Sequence, residues 1–187
     1  MKTELGAKNL LYPLPTTIVG TMIDGRPNYI AIAHVGIMDL TSISLGMNKA
    51  HHTNQGIRKS GAFSVNIPSS ALMEVTDHVG LVSGKDEDKS VLFDAFYGKT
   101  GAPLIKECKV NMECELLKTV DFPNYDIFIG RIVNTYADDD CLVNGQIDLA
   151  KVNPLLFSMP DKGYWKLGAR AGTAWSVGKG YKKDKLD

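Results

Sequence analysis

The stretch between Asn28 and Pro68 constrains the fold more than any other part of the sequence, because its residue pattern changes several times over a short distance. Two apolar strand patterns come first, and a polar loop follows them. A short helix pattern then runs to Gly61, and a further strand pattern ends at Pro68. Short strands separated by turn residues are typical of a fold dominated by β-structure.

The polar loop ahead of the helix is a candidate anion site. We predict the helix over about Thr53 to Ser60, because Arg58 and Lys59 lie in its last turn and Gly61 follows. The first N–H groups of a helix have no partners inside the helix, and the helix dipole favours a negative charge beside them. The loop residues that would surround such a charge are Asn48, Lys49, His51, His52 and Thr53.

Strands on either side of this loop offer a surface for a flat ring. We predict strands over Thr16 to Ile23 and Asn28 to Val35, joined by the hairpin signal Asp24-Gly25. The second of these strands is apolar or small on both faces, so we expect cover on both sides. The next strand, Leu40 to Met47, has one face of serine and glycine, which leaves room for a bound group. A ring held beside a phosphate indicates a mononucleotide cofactor.

The rest of the chain continues the pattern of short strands. We predict helices over Ala71 to Val79 and around Val91 to Tyr97, and the pair Asn144-Gly145 predicts a hairpin. Further strands are predicted around Phe63 to Ile67, Val110 to Val120, Tyr125 to Val133, Cys141 to Val143 and Gln146 to Leu149. Many strands with few short helices predict a mainly β protein, an antiparallel barrel with helical additions.

Length and charge exclude several classes of protein. The 187 residues predict a single domain over residues 1–187, with a loose tail at about 176–187. The 21 Lys and Arg balance the 21 Asp and Glu, so we expect no nucleic-acid partner. No apolar run is long enough to span a membrane, and the N-terminus lacks the apolar core of a secretory signal. Three cysteines without a CxxC pair predict a cytoplasmic protein.

Other residues that could carry chemistry have plain structural interpretations. His51-His52 and Asp77-His78 suggest a metal site, but no HxH or HxxxH spacing is present, so we predict no metal. His34 lies in an apolar strand, where it is either a core histidine or a ring neighbour that donates a hydrogen bond or proton. No GxGxxG motif follows a strand, so a nicotinamide donor would have to dock transiently.

Three segments in this order carry a resemblance to a known family. They are Asn28 with the AIAHVG run of residues 31–36, the segment SISLGMNKAHHTNQGIRKSGAFSVNIP of residues 42–68, and YWKLG of residues 164–168. Their order and spacing resemble the flavin reductase-like family of FMN-binding split barrels, especially its flavoredoxin-type members. The resemblance spans Pro15 to about Gly168.

The resemblance implies a dimeric split barrel, antiparallel and Greek-key-like, that binds one FMN per subunit near the dimer interface. It places the phosphate at Asn48, Lys49, His52 and Thr53. It places the ring along Thr16, Thr17, Asn28, Ala31, Ile32, Ala33 and His34. Tyr164 and Trp165 either cover the flavin or plug one end of the barrel. The sequence departs from the family pattern at His34, where many members carry Trp, and at His51, near where several carry Arg.

The resemblance also implies the function. We expect an FMN-dependent oxidoreductase in which the cofactor performs the redox chemistry and the protein positions and tunes it. The electron donor is NAD(P)H or a redox protein, and the acceptor is a small molecule or a protein. Two alternatives stay open: a non-catalytic electron carrier between protein partners, and a flavin-binding protein without turnover. No side chain is assigned a catalytic role.

Overall fold

The computed structural model describes residues 1–182, and its backbone is mainly strand. The helices are α1 (Thr53–Ser60), α2 (Met73–Leu81) and α3 (Leu149–Val152). The strands are β1 (Leu14–Pro15), β2 (Thr17–Ile23), β3 (Arg26–Ile32), β4 (Val35–Ile37), β5 (Ser42–Asn48), β6 (Ala62–Ile67), β7 (Ala95–Tyr97), β8 (Pro103–Ile105), β9 (Val110–Asp121), β10 (Tyr125–Ala137), β11 (Leu142–Val143), β12 (Gln146–Ile147), β13 (Leu156–Ser158) and β14 (Gly163–Trp165).

A curled antiparallel sheet of seven strands organises the molecule. Its strand order is β3-β2-β6-β9-β10-β5-β4, so consecutive strands β3 and β4 form its two opposite edges. Only Ala33 and His34 separate those edge strands in the chain. The sheet must therefore curl until its edges meet, and this confirms the predicted antiparallel split barrel with a few short helices.

Apolar side chains cover both faces of the sheet where β2 and β3 run. Inside the curl, Val19, Ile30 and Ile32 pack in one buried cluster, which Phe63 and Phe128 help to fill. On the outer face a second cluster contains Ile18, Tyr29, Val79, Phe93, Ile105 and Cys108. The apolar pattern on both faces of the Asn28–Val35 segment follows from this double cover.

Helix α1 has the bounds that its cap residues predict. Gly61 adopts a left-handed conformation with φ of 66°, and its N–H bonds to the carbonyl of Ile57. The helix is tied to β10 by an ion pair of 2.8 Å between Arg58 and Asp126, and Asn54 donates to the same carboxylate at 3.2 Å. These contacts hold the N-terminal end of α1 at a fixed place beside the sheet.

Several local predictions differ from the structure. The helix predicted around Val91 to Tyr97 is wrong: a short 3-10 turn ends at Val91, and residues 95–97 form β7, which pairs with β8. Pairing with β8 supplies backbone hydrogen-bond partners for this segment. The residue composition of the segment does not predict that pairing. The strand predicted over Asn28 to Val35 is interrupted at Ala33 and His34, where the chain passes between the two sheet edges.

Strands β1, β13 and β14 form a three-stranded sheet that the sequence patterns did not predict. Residues 176–182 of the predicted loose tail are exposed turns and coil. Residues 183–187 of that tail lie outside the described residues.

Candidate functional site

A cleft of about 370 Å³ opens between the edge of the main sheet and a closing wall formed by α2, β13 and β14. One wall is the β3–β4 connection together with Gly46 of β5, and the opposite wall comes from α2 and the β13–β14 hairpin. The residues that line the cleft are Thr16, Ala31, Ile32, Ala33, His34, Gly46, Asn48, His51, Asp77, Gly80, Leu81, Tyr125, Phe157, Met159 and Tyr164. The cleft therefore brings together five of the seven predicted ring residues, Thr16, Ala31, Ile32, Ala33 and His34, and its lining does not include Thr17 or Asn28.

The closing wall is held in place by a contact between two elements. The Tyr164 hydroxyl of β14 donates to Asp77 of α2 at 2.9 Å. Burial, and then the bond to Asp77, raises the pKa of Tyr164 to about 12, so this hydroxyl keeps its proton at neutral pH. Gly80 allows α2 to approach the sheet, since a Cβ there would lie 3.2 Å from the Cβ of Ala31.

Two neighbouring threonines have opposite environments. The hydroxyl of Thr17 donates to the carbonyl of Ile32 at 2.8 Å, so it serves the sheet. The hydroxyl of Thr16 is buried, lines the cleft and has no hydrogen-bond partner among residues 1–182. A buried hydroxyl without a partner costs free energy, which a ligand that bonds to it would recover.

A smaller cavity of about 180 Å³ lies at the beginning of α1. Its lining shares His51, Gly80 and Leu81 with the cleft, so the two cavities are neighbours along one groove. The remaining lining residues are Ile30, Ala50, His52, Thr53, Val82, Ser83, Gly84 and Lys89. We call this smaller cavity the cationic pocket, because of the lysine described next.

Lys89 is a buried cation without a carboxylate contact among the ion pairs of residues 1–182. Only 3% of the residue is exposed, and its ammonium donates to the carbonyls of Tyr29 at 3.0 Å and Val79 at 2.8 Å. Burial lowers the pKa of Lys89. An ammonium has three donors, so one N–H remains for a group in the pocket. An anion there would offset the cost of the buried charge.

His51 shares this environment. Its Nδ1 atom is buried and has no hydrogen-bond partner in the described part of the chain. Burial, and then the charge of Lys89, lowers the pKa of His51 below its ordinary 6.5. The imidazole is therefore neutral at pH 7 and one of its ring nitrogens is free for a ligand.

The first turn of α1 completes the pocket. Among residues 1–182 no side chain caps this helix at His52, and the N–H of Asn54 donates to the His51 carbonyl at 3.2 Å. The uncapped first turn is the end of the helix that favours an anion. Thr53 is fixed there by Asn28, whose amide donates to the Thr53 hydroxyl at 2.8 Å. Asn28 thus supports the helix start, while the His52 ring contacts the amide of Gln55 at 2.7 Å.

Some predicted residues stand apart from the two cavities. Lys49 forms an ion pair with Asp121, and neither cavity includes it in its lining. Trp165 is 55% exposed and donates to Asp161 at 3.2 Å, whereas its neighbour Tyr164 faces the cleft. Asn48 does line the cleft, and its side-chain oxygen accepts from the N–H of Ala50 at 2.9 Å. Roles of these residues in binding a cofactor stay predictions.

The sequence analysis did not identify Lys89 as a candidate site residue, and Lys89 ends the highly charged run of residues 85–89. A lysine in a charged loop is normally exposed. No periodic or motif signal separates Lys89 from Lys85 beside it. The signal lies in the tertiary structure, where the Lys89 ammonium reaches the carbonyls of Tyr29 in β3 and Val79 in α2.

Residues 1–182 contain neither a cluster of metal-ligand residues nor a membrane-spanning helix. No group of three or more histidine, cysteine or acidic residues comes together there as a metal site. In the same part of the chain, no helix is both long enough and apolar enough to cross a membrane.

Comparison with known proteins gives the family. Residues 9–159 match the family model of the flavin reductase like domain, so the chain belongs to that family. The fold closely matches the crystal structure of flavoredoxin from Methanosarcina acetivorans, with 40% sequence identity and a TM-score of 0.93 over 96% of this chain and 98% of that one.

Two further relatives extend this picture. Flavoredoxin of Desulfovibrio vulgaris (Miyazaki F) is 35% identical, with a TM-score of 0.89 over 95% of this chain and 100% of that one. A ferric-chelate reductase (NAD(P)H) of Archaeoglobus fulgidus is 27% identical over 59% of this chain and 75% of its own length. The resemblance expected from the three sequence segments is thereby confirmed.

Proposed function

We propose that the protein binds FMN in the groove formed by the cleft and the cationic pocket, and acts as an oxidoreductase of the flavin reductase type. The observation that carries this proposal is the adjacency of the two cavities. One is wider and has apolar side chains on both walls, and the other is small and contains a buried lysine near a helix start. FMN has two matching parts, because it carries a flat ring at one end and a phosphate on a short chain at the other.

The residues present fit such a cofactor. In the cationic pocket, Lys89, the free Nδ1 of His51 and the uncapped start of α1 would hold the phosphate. In the cleft, Ala31, Ile32 and Phe157 would shelter the ring, and the unpartnered hydroxyl of Thr16 would bond to a polar atom of it. When bound, FMN supplies the electron-transfer chemistry, and the chain binds it and limits water around it.

The free energy required to bind FMN shows why both cavities are needed. Micromolar affinity requires about 8 kcal/mol. A hydrogen bond to a charged group contributes about 1.5–3 kcal/mol, so the cationic pocket alone falls short. Burial of the ring must supply much of the rest, at about 25 cal/mol for each Å² of apolar surface.

Absorption spectroscopy with FMN and then NADH or NADPH tests the proposal. We expect the purified protein to hold FMN through dialysis, to unfold at a higher temperature with it, and to bleach on addition of a nicotinamide donor. Bleaching only by a reduced redox protein would support the electron carrier instead. Retained colour with neither reaction would support flavin binding without turnover. Failure to hold FMN would reject all three.

Homodimerisation and a cytoplasmic location are also part of the proposal. Large apolar side chains at the β4–β5 turn are exposed in the single chain, with Ile37 at 88% and Leu40 at 101%. A second copy would bury such side chains. The cysteines in residues 1–182 are free and buried, as suits a reducing compartment. Sedimentation equilibrium tests the dimer, which a monomeric mass at micromolar concentration would reject.

A further inference from the structure

A tyrosine–histidine pair in the cleft wall has no role in the binding scheme above. Tyr12 lies in the N-terminal segment ahead of β1, and its hydroxyl is 3.0 Å from Nε2 of His34. His34 lies in the β3–β4 connection, where its carbonyl accepts from the N–H of Gly46 at 2.7 Å. The hydrogen bond therefore joins a segment outside the main sheet to the wall of the cleft.

Aromatic contacts hold both rings of this pair. The centroid of Tyr125 lies 6.3 Å from that of His34, on the β10 side. Phe157 of β13 meets the Tyr12 ring edge-on, with a centroid distance of 6.3 Å and an interplanar angle of 86°. Tyr12 is thus itself fixed and can orient His34.

The tyrosine hydroxyl suits a histidine that changes protonation state. A hydroxyl both donates and accepts, so it can donate to Nε2 of a neutral imidazole and accept from Nε2–H of an imidazolium. His34 can therefore gain a proton without losing this partner. A phenylalanine at position 12 would keep the aromatic contact with Phe157 and remove the hydrogen bond.

The charges around His34 leave it well placed to respond to a new negative charge. The titratable groups that share the cleft with it are Tyr125 of β10, Tyr164 of β14, Asp77 of α2 and His51 ahead of α1. Asp77 is bonded to Tyr164. Among residues 1–182, the cleft lining contains no lysine, arginine or glutamate. Histidine is the side chain there that can add positive charge near neutral pH.

We propose that Tyr12 is a positioning residue that holds the His34 imidazole ready to take up a proton when a flavin in the cleft is reduced. The inference rests on the proposed function. The electrons come from the nicotinamide or protein donor, and His34 takes one proton from solvent, which compensates the negative charge added to the cleft. Linkage is reciprocal, so protonated His34 favours the reduced cofactor and makes its potential depend on pH.

Histidine NMR on the FMN-loaded protein tests this coupling. The signal of His34 is identified by its loss in His34→Gln, and its pKa is measured before and after reduction with dithionite. We expect reduction to raise the proton affinity of His34 by about tenfold or more, as a new negative charge in the same cleft would. In Tyr12→Phe this increase should fall to less than about threefold, whereas Tyr97→Phe, an exposed tyrosine outside the cleft, should behave as the wild type.

The outcomes separate this inference from the proposed function. Protein that does not hold FMN is recognised by its lack of colour before any titration, and it rejects both. Protein that holds FMN but shows the same His34 pKa in both redox states rejects only the coupling. A redox-dependent His34 pKa that is unchanged in Tyr12→Phe rejects the positioning role of Tyr12. A loss of the pH-dependent step of the potential in His34→Gln supports the coupling independently.

Discussion

Two buried polar regions of this molecule differ in how well their groups are paired. Between β6 and β9, the Asn66 amide donates to the Ile18 carbonyl at 2.8 Å, and its oxygen accepts from the N–H of Ile105 and the amide of Asn111. In the groove, by contrast, Thr16 and His51 have buried polar atoms without partners. The polar groups of the first region bond to each other and to the backbone, so they stabilise the fold. The unpaired polar atoms of the groove are available to a ligand.

An unpaired buried polar atom does not by itself identify a ligand site. Tyr29, Asn54 and Thr76 also have buried polar side-chain atoms without partners, and none of them lines the cleft or the cationic pocket. An unpaired atom therefore indicates a site only where a cavity gives a ligand access to it. Thr16 and His51 meet both conditions.

Asn66→Ala should have the largest effect, because it breaks the well-paired region. The substitution leaves donors or acceptors of Ile18, Ile105 and Asn111 without partners, so we expect the free energy of unfolding to fall by about 3–5 kcal/mol. Urea titration measures this loss, with exposed Asn9→Ala as the control. The FMN affinity of the remaining folded protein should not change. A large loss of affinity at retained stability would contradict the division between the two regions.

Lys89→Met should weaken FMN binding, and it should also lower stability because the carbonyls of Tyr29 and Val79 lose this donor. Losing a hydrogen bond to the charged phosphate weakens FMN binding by about 1.5–3 kcal/mol, which is about 10- to 100-fold. Lys49→Met is the matched control, because Lys49 is exposed and paired with Asp121 outside both cavities. Flavin fluorescence titration compares the two variants. If Lys49→Met weakened binding as much as Lys89→Met, the phosphate would lie at the loop that the sequence predicted.

These comparisons show what the sequence could predict. The bounds of α1 follow from its basic last turn and Gly61, which are local signals. The sheet follows from strand patterns and from a resemblance spread over most of the chain. In both cases the information is close together in the sequence or repeated along it.

The cationic pocket could not be predicted in the same way. Lys89 reaches the cavity because its loop folds back over β3 and α2, and no local pattern specifies that path. The partner of Lys49 likewise comes from the end of β9, far along the chain. Asn28 was assigned to the ring from the resemblance, yet its amide contacts Thr53, which is visible only once β3 and α1 are placed together.

The adjacent residues Thr16 and Thr17 allow a paired hydroxyl to be compared with an unpaired one. Thr17→Val removes a bond to the Ile32 carbonyl and should lower the free energy of unfolding by about 1 kcal/mol, without changing FMN affinity. Thr16→Val removes an unpaired hydroxyl and should leave FMN-free stability equal or up to about 1 kcal/mol higher. It should also weaken FMN binding several-fold. Equal effects of the two substitutions on binding would remove Thr16 from the site.

The smallest predicted effect is a pH dependence caused by His51. Burial and Lys89 lower its folded pKa below 6.5, so at mildly acidic pH the unfolded chain binds a proton that the folded protein does not. The FMN-free protein should therefore lose stability as the pH falls from about 6.5 towards the folded pKa, by less than about 1 kcal/mol. Urea midpoints at pH 7.5 and pH 5.5 measure the loss, which His51→Gln should reduce. Bound FMN should reduce it as well, because the phosphate charge favours the imidazolium. A pH dependence that FMN leaves unchanged would place the phosphate away from His51.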